Sequence, residues 1–221
     1  MPNIIADIAG QYNTLIALTK QMPDEEFISL GDMVDRGPDS KKVIEFFRQE
    51  GCSAILGNHE HMMLDYCTDQ SYYSEGIWFG NGGVATLRSF ANKTDQHIYD
   101  IYPPVDVIKW LSSLPLYKEI DGYLISHSFI DADMDLKEAC DLKDSIWTVG
   151  ESRIIWNRRY PVRRPEYKLQ IAGHNSQFGL KWFEDHQGKF ALCLDDSSKK
   201  RLTGLHIPSM KIYQQDYIYF Y

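Results

Sequence analysis

Two hydrophobic rhythms divide this chain. In the first sixty residues, three short apolar runs, Ile4–Ala6, Phe27–Leu30 and Cys52–Leu56, each end in a turn rich in Gly, Asp or Asn and have the length of buried strands. Between them, Leu15, Ile16 and Leu18 within Asn13–Gln21, and Val43, Ile44, Phe46 and Phe47 after Asp39-Ser40, fall at helical spacing. Asp39 or Ser40 is placed to cap the second helix and Gly51 to stop it. Short strands joined by crossover helices predict a parallel β-α-β-α-β sheet. From about Tyr72 to Leu114 the pattern is mainly helical, broken at Gly80-Asn81-Gly82-Gly83, with a helix over Val105–Leu114 between prolines. The rhythm then shortens to strands: Leu116–Ile120, Tyr123–His127, Lys168–Ala172, Lys181–Phe183, Phe190–Leu194, Gly204–Ile207 and, from its alternating tyrosines, Tyr217–Tyr221. Arg158–Glu166 is a basic, proline-containing loop. With no repeat or linker, one domain over residues 1–221 is expected.

Composition narrows the field. A net charge of −8 argues against nucleic acid or an anionic membrane as the default partner. Four scattered cysteines without a C-x-x-C pair read as free thiols in a reducing compartment. No signal peptide and no long apolar run is visible, so a cytoplasmic location is expected.

The polar residues carry the chemistry. Asp7, Gly31-Asp32-Met33-Val34-Asp35-Arg36-Gly37 and Gly57-Asn58-His59-Glu60 all follow predicted strands, and ligands of an open α/β sheet bind at the carboxyl ends of its strands. His127 and His174 also follow strand-like runs. Alone, each is commonly a helix cap, an ion-paired turn or a structural histidine. Together they form an oxygen-rich set with two imidazoles, which suits Mn²⁺, Fe or Zn²⁺ better than Ca²⁺.

The set Asp7-Ile8-x-Gly10, Gly31-Asp32-Met33-Val34-Asp35-Arg36-Gly37, Gly57-Asn58-His59-Glu60, His127 and Gly173-His174 resembles the phosphoprotein phosphatase family of calcineurin-like metallophosphoesterases. The bacteriophage lambda type is the closer likeness, through Trp78, Asn81-Gly82-Gly83, His61-Met62-Met63, Leu114-Pro115-Leu116, Ile155-Trp156-Asn157-Arg158 and a late strand ending at Asp195. The resemblance implies an α/β four-layer sandwich, two mixed β-sheets flanked by helices. It implies two divalent metal ions, Mn²⁺ first among the candidates. Asp32 would bridge them, Asp7 would hold the first, and Asn58, His127 and His174 the second. A bridging hydroxide would attack phosphorus in line. Arg36 and Arg158, with Asn58 and His59, would bind the phosphate. His59 would be the general acid, oriented by Asp35. Asn81 either shapes the pocket or is an ordinary turn residue.

One departure matters most. The family's first motif is Asp-x-His, and here the histidine position is Ala9, whose methyl coordinates nothing. The first metal site should be weakened, as a change that traps ligand or as drift toward a poorer enzyme or binder. Milder departures are Ser128-Phe129 after His127, Asn175 after His174, and Asp195-Asp196-Ser197. The basic cluster Arg158, Arg159, Arg163 and Arg164 reads either as a recognition surface for acidic substrate or as a solvated loop. The expected activity is hydrolysis of phosphomonoesters on protein Ser/Thr, with Tyr left open, on a phosphoprotein or phosphopeptide. Symmetrical diadenosine tetraphosphate, or another nucleotide or an RNA cap, is the alternative substrate, and a catalytically weak phosphate-binding regulator is the second alternative.

Overall fold

In the computed structural model, which describes residues 2–23, 25–69, 71–140 and 154–219, the chain runs as follows. β1 (Asn3–Ala6), α1 (Tyr12–Thr19), β2 (Phe27–Ser29), α2 (Ser40–Phe47) and β3 (Cys52–Ala54) come first. The helical segment follows, with α3 (Asn58–Asp69), α4 (Tyr72–Gly80), α5 (Gly83–Ser89) and α6 (Val105–Ser112). Then come β4 (Tyr117–Ile120), β5 (Tyr123–Ser126), α7 (Leu136–Ala139), β6 (Leu169–Ala172), β7 (Lys181–Asp185), β8 (Gly188–Cys193), β9 (Arg201–His206) and β10 (Lys211–Asp216).

The strands build two five-stranded sheets, ordered β10-β9-β1-β2-β3 and β4-β5-β6-β8-β7. Both are mixed. β1, β2 and β3 are parallel, with β9 antiparallel to β1. β5, β6 and β8 are parallel, with β4 and β7 antiparallel at the edges. The strands read as continuous apolar runs because both faces are covered. Ile4 and Ala6 of β1, with Ile28, Leu30 and Leu205, meet Ile125, Ile171 and Leu192 of the other sheet. Ile5, on the opposite face of β1, packs with Leu15, Leu18, Val43 and Phe47 from the helices. Alternation of side chains along a strand makes this division automatic.

The helical layer lies on the first sheet. On the outer face of the second, the described residues supply only the four-residue α7 and irregular segments around Phe129, Ile130, Ile154, Ile155 and Phe178.

Two expectations need correction. The last strand is Lys211–Asp216, not Tyr217–Tyr221. Its ladder with β9 runs out at Asp216 opposite Arg201, and the Tyr217 N–H makes a closing bond to the Lys200 carbonyl, itself in the left-handed region at φ 57°. Tyr217–Tyr219 thus continue without a strand partner, and Phe220 and Tyr221 lie outside the described residues. The turn expected at Asn58 is instead the start of a twelve-residue helix.

Candidate metal centre and phosphate cavity

Strand order decides which side chains meet. The carboxyl ends of β1, β2, β5, β6 and β8 point to one edge of the sandwich, carrying Asp7, Asp32, His127, His174 and Asp195. The backbone there is unusual. Of nine non-glycine residues with positive φ among the described residues, Asp7, Ala9, Asp32, Asp35, Arg36 and His174 are six. Such conformations cost roughly 1–3 kcal/mol each and persist where surrounding structure over-determines them. The buried Glu60 carboxylate supplies much of that determination. It accepts backbone N–H bonds from Asp32 (2.8 Å), Met33 (2.7 Å), Val34 (3.2 Å) and Gly57 (3.0 Å), tying the second motif to the third. Burial and the nearby Asp32 charge push its pKa up to about 7.

The donor set fits a divalent metal. Ligand atoms of Asp32, His127 and His174 lie within 4.8 Å of one another, all three residues buried. His127 Nδ1 donates to the Leu30 carbonyl at 2.7 Å. Its Nε2 then faces two acceptor oxygens, Asn58 Oδ1 at 2.9 Å and Asp32 Oδ1 at 3.3 Å. These three atoms converge on one point, an arrangement that a divalent cation would satisfy at once. The backbone bond on the far nitrogen is the usual way a ligating imidazole is oriented. His174 Nε2 is buried without a partner, and burial, reinforced by His127, holds its pKa well below the ordinary value, so the ring is ready to ligate as a neutral group. Burial alone would raise the Asp32 pKa, but its neighbours His127 and His59, together with the His59 backbone N–H that donates to Oδ1 at 3.1 Å, bring it down to about 2.

Beside the donors sits the proton-handling pair. His59 is the second residue of α3, and its Nδ1 is 2.5 Å from Asp35 Oδ2. Asp35 is buried and also accepts from Trp78 Nε1 (3.0 and 3.1 Å) and Thr86 Oγ1 (2.6 Å), so its orientation is fixed. Although burial pulls the His59 pKa down, the Asp32 charge and the Asp35 bond raise it above the ordinary value. Arg36 Nη2 lies 3.0 Å from His59 Nε2.

Asn81-Gly82-Gly83 backs this corner. Gly82, at φ 107°, lies so close to Arg36 that a side chain would crowd the Arg36 backbone, while a side chain at Gly83 would strike the Trp78 ring. Asn81 lines the cavity and also bonds the Ile77 carbonyl in the last turn of α4.

One polar cavity of about 120 Å³ is lined by Asp7, Asp32, Arg36, Asn58, His59, Asn81, Trp156, Arg158, His174 and Asp195, among others. It gathers every predicted site residue except the buried Asp35 and His127, which lie outside its lining. A larger cavity of about 430 Å³ adjoins, sharing Arg36 and bounded by Ala9, Gln11, Lys200, Tyr217 and Tyr219. In the basic loop, Arg159 is bound to Asp131, Arg163 to Asp185, and Arg164 to backbone carbonyls. Arg158 alone of the four faces the cavity. Sequence reasoning marked Asp195 only as a strand end and missed Trp78 and Thr86 as partners of Asp35. Their burial beside a charge has no signature in local pattern.

Ala9 keeps the backbone of the motif. Its φ is 49°, and its carbonyl accepts the Gly37 N–H at 3.0 Å. The left-handed region is unfavourable for Ala and better tolerated by His, the residue that the resembled motif carries at this position.

Comparison with known proteins agrees with the geometry. The chain is 32% identical over 97 residues to serine/threonine-protein phosphatase 1 of Salmonella typhimurium, a match covering 42% of this chain and 44% of that protein. It is 28% identical over 193 residues to the symmetrical bis(5'-nucleosyl)-tetraphosphatase of Vibrio cholerae, covering 84% and 61%. The chain thus spans less than two thirds of the length of either relative. A solved protein serine/threonine phosphatase from Saccharomyces cerevisiae superposes with a TM-score of 0.58 at 15% identity, covering 100% of this chain and 81% of that one. The model of the calcineurin-like phosphoesterase family matches residues 3–195. This chain belongs to the calcineurin-like phosphoesterase family.

Proposed function

We propose that the chain is a metal-dependent phosphatase acting on phosphomonoesters of protein serine and threonine, with phosphotyrosine as a further substrate. The observation that carries this reading is the small polar cavity, lined at once by metal donors and by Arg36, Asn58, His59 and Arg158, with room for one phosphoryl group. Asp7, Asp32, Asn58, His127 and His174 would hold divalent ions, which when bound would supply Lewis acidity and an acidified water. Arg36 and Arg158 clamp the non-bridging phosphate oxygens, a task matched to the guanidinium fork. Incoming phosphate competes with His59 Nε2 for Arg36, freeing that nitrogen to carry a proton. His59 then passes the proton from Nε2 to the departing serine or threonine oxygen, while Asp35 keeps the Nδ1 proton and the ring angle. No protein nucleophile is needed.

The protein-phosphate reading is supported by the Salmonella relative and by Asn81-Gly82-Gly83 backing Arg36. A second reading has its own observation. The adjoining cavity shares Arg36 and carries Lys200, Tyr217 and Tyr219, a cationic and aromatic lining that suits a phosphate chain followed by a nucleoside. It favours a symmetrical dinucleoside tetraphosphate. Assays with Mn²⁺ on phosphoserine, phosphothreonine and phosphotyrosine peptides and on diadenosine tetraphosphate decide between them. The expected result is peptide turnover, enhanced in Ala9→His. Turnover confined to the dinucleotide overturns the first reading. No turnover of either substrate, even in Ala9→His, supports the phosphate-binding regulator instead.

A further inference from the structure

We propose that Asp195 is a metal ligand in this chain, replacing at the first-metal position the donor that Ala9 lacks. This rests on the metal-dependent reading above. The trio Asp32, His127 and His174 accounts for one ion. Asp7 and Asp195 lie outside that trio yet line the same cavity, only 6% and 3% exposed, and neither forms an ion pair among the described residues. Two more buried carboxylates beside Asp32 stay ionised only where a cation compensates them. His174 Nε2, a member of that trio, is buried and unpartnered in the same cavity, which marks the cavity as one built around cations.

The topology explains why Asp195 is available. β8 runs parallel to β6 with Cys193 opposite Ala172, and the Leu194 N–H extends the ladder to the Ala172 carbonyl at 2.8 Å. Asp195 therefore emerges beside Gly173-His174. Asp7 is fixed at the same place, both of its carboxylate oxygens accepting the His174 N–H at 2.9 and 3.1 Å. The Ser197 N–H holds Asp195 Oδ1 at 3.0 Å. With Ala9 in the motif, the first ion would take an all-oxygen set from Asp7, Asp32 and Asp195. That chemistry favours a hard cation such as Mn²⁺ or Mg²⁺, while the imidazole-bearing second position suits softer ions.

Equilibrium dialysis of Mn²⁺ against the full chain tests this without reading activity, so a failure of the substrate assignment leaves its result intact. The unmodified chain should bind two Mn²⁺. Asp195→Asn should keep the tighter ion and bind the other at least about 10-fold more weakly, and adding Ala9→His to that variant should recover it. If Asp195→Asn does not give a folded protein by circular dichroism, Asp195→Glu, which retains the charge but displaces its oxygens by one methylene, should weaken the same ion. Saturation at a single Mn²⁺ in the unmodified chain, or two ions held with unchanged affinity in either Asp195 variant, overturns the proposal.

Discussion

At the scale of the residue, the site depends on groups held in states they would not choose alone. His59 is the clearest case. Burial opposes its charge, yet Asp32 and Asp35 raise its pKa, keeping the acid form populated to higher pH. In the proposed mechanism it acts as a proton donor and must be protonated, so hydrolytic activity should fall as pH rises through that raised value. Removing the carboxylate partner lowers the His59 pKa. Asp35→Asn should therefore move the alkaline limb of the kcat profile to lower pH and reduce kcat by about 100-fold, the low end for a positioned general acid. An unmoved limb would show that His59 is not the titrating group. The motif residues themselves were legible in the sequence because each is a polar residue closing an apolar run. Their left-handed backbone was not, since no pattern of types reports φ for Asp7, Ala9 or Arg36.

At the scale of the element, α3 brings Asn58 and His59 to the site and was hidden from periodicity. Its Met62, Met63 and Tyr66 are buried, but they fall among polar residues without a repeating stripe, so only the opening turn stood out. Glu60 is the helix's anchor. Replacing it with Ala strands four backbone N–H groups at roughly 1–3 kcal/mol apiece, and urea titration of Glu60→Ala should show a loss above about 3 kcal/mol. A loss below about 1 kcal/mol would mean that the second motif holds itself. His61, on the same helix, has its pKa depressed by burial to about 4. A depressed folded-state value means that its full contribution is present above the unfolded value near 6.5 and is lost as pH falls through 4. Through this one ring, stability should drop by up to roughly 3 kcal/mol across that window. His61→Gln should flatten the drop in melts between pH 7 and 4; an equal drop in the variant would place its cause elsewhere. The β10 correction has an equally local origin, because alternating tyrosines resemble a strand whether or not a neighbour exists to pair with them.

At the scale of the molecule, two mixed sheets with buried faces bring strand ends from both halves of the chain to one edge. The parallel β-α-β-α-β half was readable from length and punctuation. The order of the second sheet was not, because β8 reaching β6 past β7 is set by packing across the sandwich. The same convergence leaves a larger cavity beside the catalytic one, walled by Ala9 and Gln11 from the first turn and by Tyr217 and Tyr219 from the last residues described. If that cavity receives a nucleoside, Tyr219→Ala should raise KM for diadenosine tetraphosphate about 10-fold while leaving phosphopeptide KM unchanged. Equal effects on both substrates would assign the cavity to neither. Everything at this scale depends on the edge being a metal centre. The most direct test is an anomalous difference map from crystals of the unmodified chain soaked in Mn²⁺. The account predicts a strong peak among Asp32, Asn58, His127 and His174, and it is contradicted if that position stays empty while Mn²⁺ binds elsewhere or not at all.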